Sequence, residues 1–84
     1  MKAKFEVRFT PRFLRNIKAL DREVQVRVIN EIKNLTSNPY VGKLLRGEWK
    51  GIYSLRVGDY RVLYQVKGNT VFLLVVAHRK RAYQ

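Results

Sequence analysis

Residues 53–64 read YSLRVGDYRVLY. Apolar and polar residues alternate on both sides of Gly58-Asp59, the period of two strands that each bury one face. A Gly-Asp pair suits the two-residue loop of a tight hairpin. Cross-strand partners share one side of a sheet, so this loop sets Val57 against Tyr60, Leu55 against Val62 and Arg56 against Arg61. Like charges opposed about 5 Å apart cost a sheet some tenths of a kcal/mol. Stability alone does not select such a pair.

Downstream, Gly68-Asn69 suits a second short turn, and TVFLLVVAH (70–78) supplies a third strand. With the alternation carried through unbroken, one face collects Tyr53, Leu55, Val57, Tyr60, Val62, Tyr64 and Val66 with Val71, Leu73, Val75 and Ala77. This is the expected core side. The other face collects Ile52, Ser54, Arg56, Arg61, Leu63 and Gln65 with Phe72, Leu74, Val76 and His78. His78 is thereby expected beside Arg56 and Arg61, at the end where the chain continues as Arg79, Lys80, Arg81 and Tyr83. Cations gathered on a rigid rim, with a ring available for stacking, describe a site for single-stranded nucleic acid. Leu63, Phe72, Leu74 and Val76 leave apolar surface beside that rim, the mark of a protein interface.

Upstream, AKFEVRF (3–9) alternates as a strand with one buried face. Thr10-Pro11 is an N-cap followed by proline at the first helical position, and Phe13, Leu14, Ile17 and Leu20 recur at helical spacing. Asp21 caps a second helix with the stripe Val24, Val28, Ile32 and Leu35, ended by SNPY (37–40). Residues 37–51 carry Pro39, Gly42, Gly47 and Gly51 and read as a loop bearing Lys43, Arg46, Trp49 and Lys50. Trp49 reads as a plug at the core edge. The expected fold is α+β, in the order β-α-α-β-β-β: one domain spanning residues 1–84, with two helices on one face of a small antiparallel-type sheet. The pattern leaves the strand order open.

Eighteen Lys and Arg against six acids give a net charge of +12, with nine cations in each half of the 84-residue chain. Such a field favours phosphate-rich partners, anionic membranes or acidic proteins. With 46% hydrophobic residues the chain is a folded domain that happens to be basic. The longest apolar run, residues 71–77, is too short to cross a membrane, and a soluble, cytoplasmic protein is expected. Cysteine is absent, and the six acids and single histidine are scattered without ligand spacing, so neither a metal nor any other cofactor is expected. Neither a phosphate-binding glycine loop nor a nucleophile elbow is present. The route left to such a chain is RNA cleavage in which the substrate's own 2′-OH attacks the adjacent phosphate while protein groups stabilise the developing charge.

KLLRGEWKGIYSLRVGDYRVLYQV (43–66) and VVAHRKRAY (75–83) resemble the RelE/ParE superfamily of toxins from toxin–antitoxin modules, along the whole chain. The resemblance implies a ribosome-dependent endoribonuclease that cuts mRNA, an mRNA interferase. ParE-like members instead poison DNA gyrase without cleavage, and a non-catalytic basic ribosome-binding module is a third reading. By resemblance, Arg61 stabilises charge at the scissile phosphate, Arg79 donates a proton or holds phosphate, and Tyr83 stacks on the cleaved nucleotide. RNA contacts are expected from Lys43, Arg46, Lys50, Arg56, His78, Lys80 and Arg81; for Arg56, pairing with Asp59 or Glu48 is the competing use. Ile52 and Ser54 stand where the RelE pattern has two lysines, which leaves the base unassigned, with Lys50, Lys43 and His78 as substitutes. An acidic, amphipathic antitoxin is the expected protein partner, and the ribosome and mRNA the expected targets.

Overall fold

The computed structural model describes residues 4–82. Strand β1 (Glu6–Phe9) leads into helices α1 (Pro11–Lys18) and α2 (Arg22–Leu35). A two-residue strand β2 (Lys43–Leu44) and a 3-10 turn (Gly47–Trp49) precede β3 (Ile52–Val57), β4 (Tyr60–Lys67) and β5 (Thr70–His78). The five strands lie in the order β1-β5-β4-β3-β2. All neighbours are antiparallel except β1, which pairs parallel to β5 and makes the sheet mixed. The segment expected as a plain loop therefore contains an edge strand, too short for alternation to show in the sequence.

Helix formation follows the local chemistry. Thr10 Oγ1 accepts from Phe13 N–H at 3.2 Å and itself donates to the Leu73 carbonyl at 2.8 Å, so one hydroxyl caps α1 and ties it to β5. Asp21 precedes α2 without making a side-chain cap bond. Phe13 from α1 and Val28, Ile32 and Leu35 from α2 are buried against Val57, Val62, Tyr64, Val71, Leu73 and Val76 of the sheet. One sheet face is thus covered by helices and the other is open.

The β3–β4 hairpin has the register its sequence predicts: Arg56 faces Arg61 across the two-residue turn, and Gly58 takes φ +59° there. The β4–β5 pairing begins as expected, with Gln65 opposite Phe72 and Tyr64 opposite Leu73, then slips. Leu63 pairs with Val75, so Leu74 is an extra residue in β5, a β-bulge. Because side chains alternate with period two, everything beyond Leu74 changes face. Val76 points into the core, Val75 and Ala77 face the open side, and His78 pairs with Tyr60 on the helix side. The expected companionship of His78 with Arg56 and Arg61 is thereby corrected.

The bulge coincides with the end of β1. Beyond Phe9 the edge of β5 has no strand beside it, and α1 takes over: Thr10 N–H donates to the Leu73 carbonyl at 3.2 Å and Asn16 Oδ1 accepts from Val76 N–H at 3.3 Å. Side-chain partners thus close an edge that would otherwise offer free backbone groups to another chain.

Candidate functional site

Arg61 lies on β4 with the small residue Ala77 opposite it on β5 and Arg56 opposite it on β3. The bulge places Ala77 where an unbroken register would put the larger Val76. Ser54 stands two residues before Arg56, hence on the same face, and Lys43 of β2 pairs with Ser54. These residues, with Leu45, line a cleft of about 240 Å³ on the open face. Arg61 is half-buried, and its Nη1 is out of contact with solvent and without a hydrogen-bond partner. A desolvated guanidinium nitrogen left unpaired is destabilising by roughly 1–3 kcal/mol.

Lys43 reaches the cleft from the neighbouring strand. Where the RelE pattern has a lysine at the position of Ser54, this chain supplies a cation one strand over, because residues paired across a sheet present their side chains to the same space. Its position is fixed by Gly42, whose N–H donates to the buried Tyr64 hydroxyl at 3.0 Å. A Cβ on Gly42 would lie 2.6 Å from that oxygen and 3.0 Å from the Ser54 carbonyl, so only glycine allows the approach. Tyr64 stacks on Tyr53 with ring centroids 5.4 Å apart. Burial pushes its phenol above the ordinary value, opposed by the bond from Gly42 and reinforced by Tyr53.

The other expected site residues divide. Arg46 lines a shallower cleft with Lys43, Leu44 and Leu45, beside the first. Lys50 is exposed after the 3-10 turn and His78 is on the helix side, so neither lines the Arg61 cleft. His78 meets Tyr60 edge to face at 5.6 Å, and its Nδ1 accepts from Lys80 N–H at 3.3 Å. Arg79 N–H donates to the Asp59 carbonyl at 2.8 Å, which fastens the C-terminal turn to the β3–β4 turn. Its exposed side chain starts from the same end of the sheet as Arg61 but does not line the cleft. Lys80 and Arg81 are exposed in that turn, and Ala82 is buried. Tyr83 lies outside the described residues. Arg56 donates Nε–H to the Gly58 carbonyl at 3.4 Å and not to Asp59 or Glu48.

On the same open face, Trp49, Ile52, Leu63, Leu74 and Val75, with Thr10 and Arg12 at its rim, form an apolar groove of about 360 Å³. Trp49 is half-buried and borders the open side beside Leu63 and Val75. The bulge sets Val75 opposite Leu63, the place an unbroken register gives to Leu74. Among the described residues no group of three His, Cys, Asp or Glu side chains gathers to hold a metal, and no helix is long and apolar enough to cross a membrane.

A mixed five-stranded sheet with two helices on one face matches the fold of RelE structures. The toxin–antitoxin complex RelBE2 of Mycobacterium tuberculosis contains a chain that superposes with TM-score 0.84 and 36% identity, over 90% of this chain and 99% of that one. The isolated E. coli RelE toxin shares the fold, with TM-score 0.76 at 23% identity over 88% and 83% of the two chains. Toxin RelG of Mycobacterium tuberculosis is 36% identical over 84 aligned residues, covering 95% of this chain and 97% of its own. The family model described as ParE toxin of the type II toxin-antitoxin system parDE matches residues 7–83, and the chain belongs to this family, within the RelE/ParE superfamily. It is the toxin of a type II toxin–antitoxin module.

Proposed function

We propose that this toxin cleaves mRNA on the ribosome by metal-free transesterification. The observation that carries the proposal is Arg61 Nη1, desolvated and unpaired in a cleft also lined by Lys43 and Arg56. In the reaction the 2′-hydroxyl gives its proton to water as its oxygen bonds to phosphorus, the bond to the 5′-oxygen breaks and that oxygen takes up a proton, and negative charge builds on the non-bridging oxygens. Donors held in place before the reaction stabilise that charge without reorganising. Arg61 and Lys43 act from the cleft, and Arg79, hinged at Asp59, closes on the phosphate from the C-terminal turn. Among the described residues the cleft is lined by neither histidine nor carboxylate, and the contribution of these residues is electrostatic and positional. RNA is the substrate because DNA lacks the attacking hydroxyl. Tyr83, two residues past the last basic position, stacks on the nucleotide beside the cut.

The partner that restrains this activity is an acidic, amphipathic antitoxin, in keeping with the complexes among the structural relatives. Its apolar side fits the Trp49–Leu63–Val75 groove, and its acids neutralise the neighbouring cations. Primer extension on translated message tests the activity: cuts appear with the unaltered protein and fall by about 10²–10³-fold in Arg61→Ala, the loss typical of removing one charge-stabilising donor. Cuts indifferent to Arg61→Ala and Arg79→Ala overturn the mechanism.

A second reading, gyrase inhibition by binding alone, is favoured by the family's ParE description and by Ile52 and Ser54 at the lysine positions. Inhibited supercoiling in the absence of any message cutting selects it.

A further inference from the structure

The helix-side flank of the β3–β4 turn carries an arginine that neither the sequence pattern nor the resemblance singles out. Gly58, at φ +59°, has no side chain, and a Cβ there would sit 3.2 Å from both terminal nitrogens of Arg27, which reaches across from α2. From the other side, Arg56 Nε–H donates to the carbonyl of the same Gly58. Two guanidinium groups therefore bracket one exposed turn. They share a cleft of about 360 Å³ with Asn30, Glu31 and Val57.

This cleft does not stand alone. Arg56 also lines the Arg61 cleft, and Lys43 lines both the Arg61 cleft and the one that holds Arg46. Three depressions thus follow one another around the molecule, each joined to the next by a shared cation, from Arg46 through Lys43, Arg61 and Arg56 to Arg27. A single small anion would engage the middle cleft alone. A connected row of cations matches a chain of phosphates.

We infer that these clefts form one continuous binding path for a single-stranded RNA backbone, with Arg27 and Asn30 holding a phosphate beyond the one at Arg61. The inference rests on the proposed function for the identity of the strand as RNA. The cleft around Arg27 is polar, with Val57 its single apolar residue, so it lacks the apolar anchors on which a docked peptide depends. A phosphodiester backbone needs only cations and donors. Glu31 is the one acid in the path, and it opposes the strand at the Arg27 end.

The test uses the full chain and 2′-O-methylated oligouridylates, which cannot be cut, of about three and about twelve nucleotides, with binding measured against salt. Arg27→Gln should weaken binding of the longer strand about 5- to 10-fold and make its salt slope shallower by about 0.7, leaving the shorter strand unaffected. Glu31→Gln should tighten the longer strand alone, a gain that misfolding cannot produce. Arg61→Gln should weaken both lengths. Equal effects of Arg27→Gln on the two lengths, no effect on either, or a loss of affinity for an acidic antitoxin with RNA binding intact would each overturn the path. RNA binding with these length dependences but no cleavage of translated message would sink the nuclease reading and leave the path standing. Failure of the unaltered protein to bind either strand overturns the path, while the nuclease reading stands or falls by cleavage of translated message.

Discussion

At the scale of the residue, Arg61 costs stability. Its unpaired buried nitrogen and its cross-strand neighbour Arg56 both oppose folding. Arg61→Met, which keeps the aliphatic bulk and removes the charge, should therefore stabilise the free protein by about 1 kcal/mol while abolishing cleavage. Thermal unfolding of the two proteins without ligand measures the difference, and a lowered midpoint for the variant contradicts the argument. Tyr64 makes a separate prediction. Because burial raises its phenol above the ordinary value, the folded state holds that proton more tightly than the unfolded chain does. Its contribution is complete below about pH 10 and disappears as pH climbs through the raised value. Tyr64→Phe should flatten this alkaline loss, read from denaturant midpoints between neutral and strongly alkaline pH. The variant also frees the Gly42 N–H, so its midpoint at neutral pH should fall by about 1 kcal/mol.

At the scale of the element, two short features decide what the site contains. The first is β2. Two residues of pairing bring Lys43 to the cleft, and the Gly42–Tyr64 bond sets where that pairing starts. Gly42→Ala should displace β2, destabilise the fold by about 1–3 kcal/mol and depress cleavage in the same manner as Lys43→Ala. A cleavage defect in Gly42→Ala that deepens no further when Lys43→Ala is added shows that both act through the one ammonium group. The second is the bulge at Leu74. Deleting that residue straightens β5 yet keeps Val75 opposite Leu63, Val76 opposite Val62 and Ala77 opposite Arg61. Such a protein loses the Leu74 side chain from the apolar groove and leaves the residues around Arg61 in place. It should still cut translated message in primer extension, and loss of cutting shows that the bulge itself shapes the cleft.

At the scale of the whole molecule, the net charge of +12 makes binding to any polyanion steeply dependent on salt, whatever the site does. Cleavage chemistry and nonspecific attraction separate on this axis. Raising salt should lower the apparent affinity for RNA by several powers of ten across the path, whereas the ratio of activity between Arg61→Ala and the parent at saturating substrate should stay constant. A ratio that closes toward one as salt rises assigns Arg61 to general attraction alone. The antitoxin meets the same field. On the proposed function, an acidic segment in the apolar groove that reaches the Arg61 cleft should exclude RNA by occupying the sheet's open face and by removing the charge that steers the strand.

Much of this architecture is legible before folding because its causes are local. Alternation and the Gly58-Asp59 turn determine that Arg56 faces Arg61, since a two-residue loop admits one register. The Thr10-Pro11 start and the Val24–Leu35 stripe likewise locate two helices and the face they bury. The rest is decided at long range. Nothing near Leu74 in the sequence announces a bulge; it occurs where β1 gives way to α1 and Asn16 takes up the Val76 amide, a contact between residues 60 positions apart. Lys43 enters the cleft only because Tyr64, 22 positions from Gly42, holds the backbone beside it. Arg27 meets the turn because α2 lies against β3. Periodicity specifies which side of an element a residue occupies, but which cations share a cleft depends on how separate elements pack, and packing is settled by burial of the entire core.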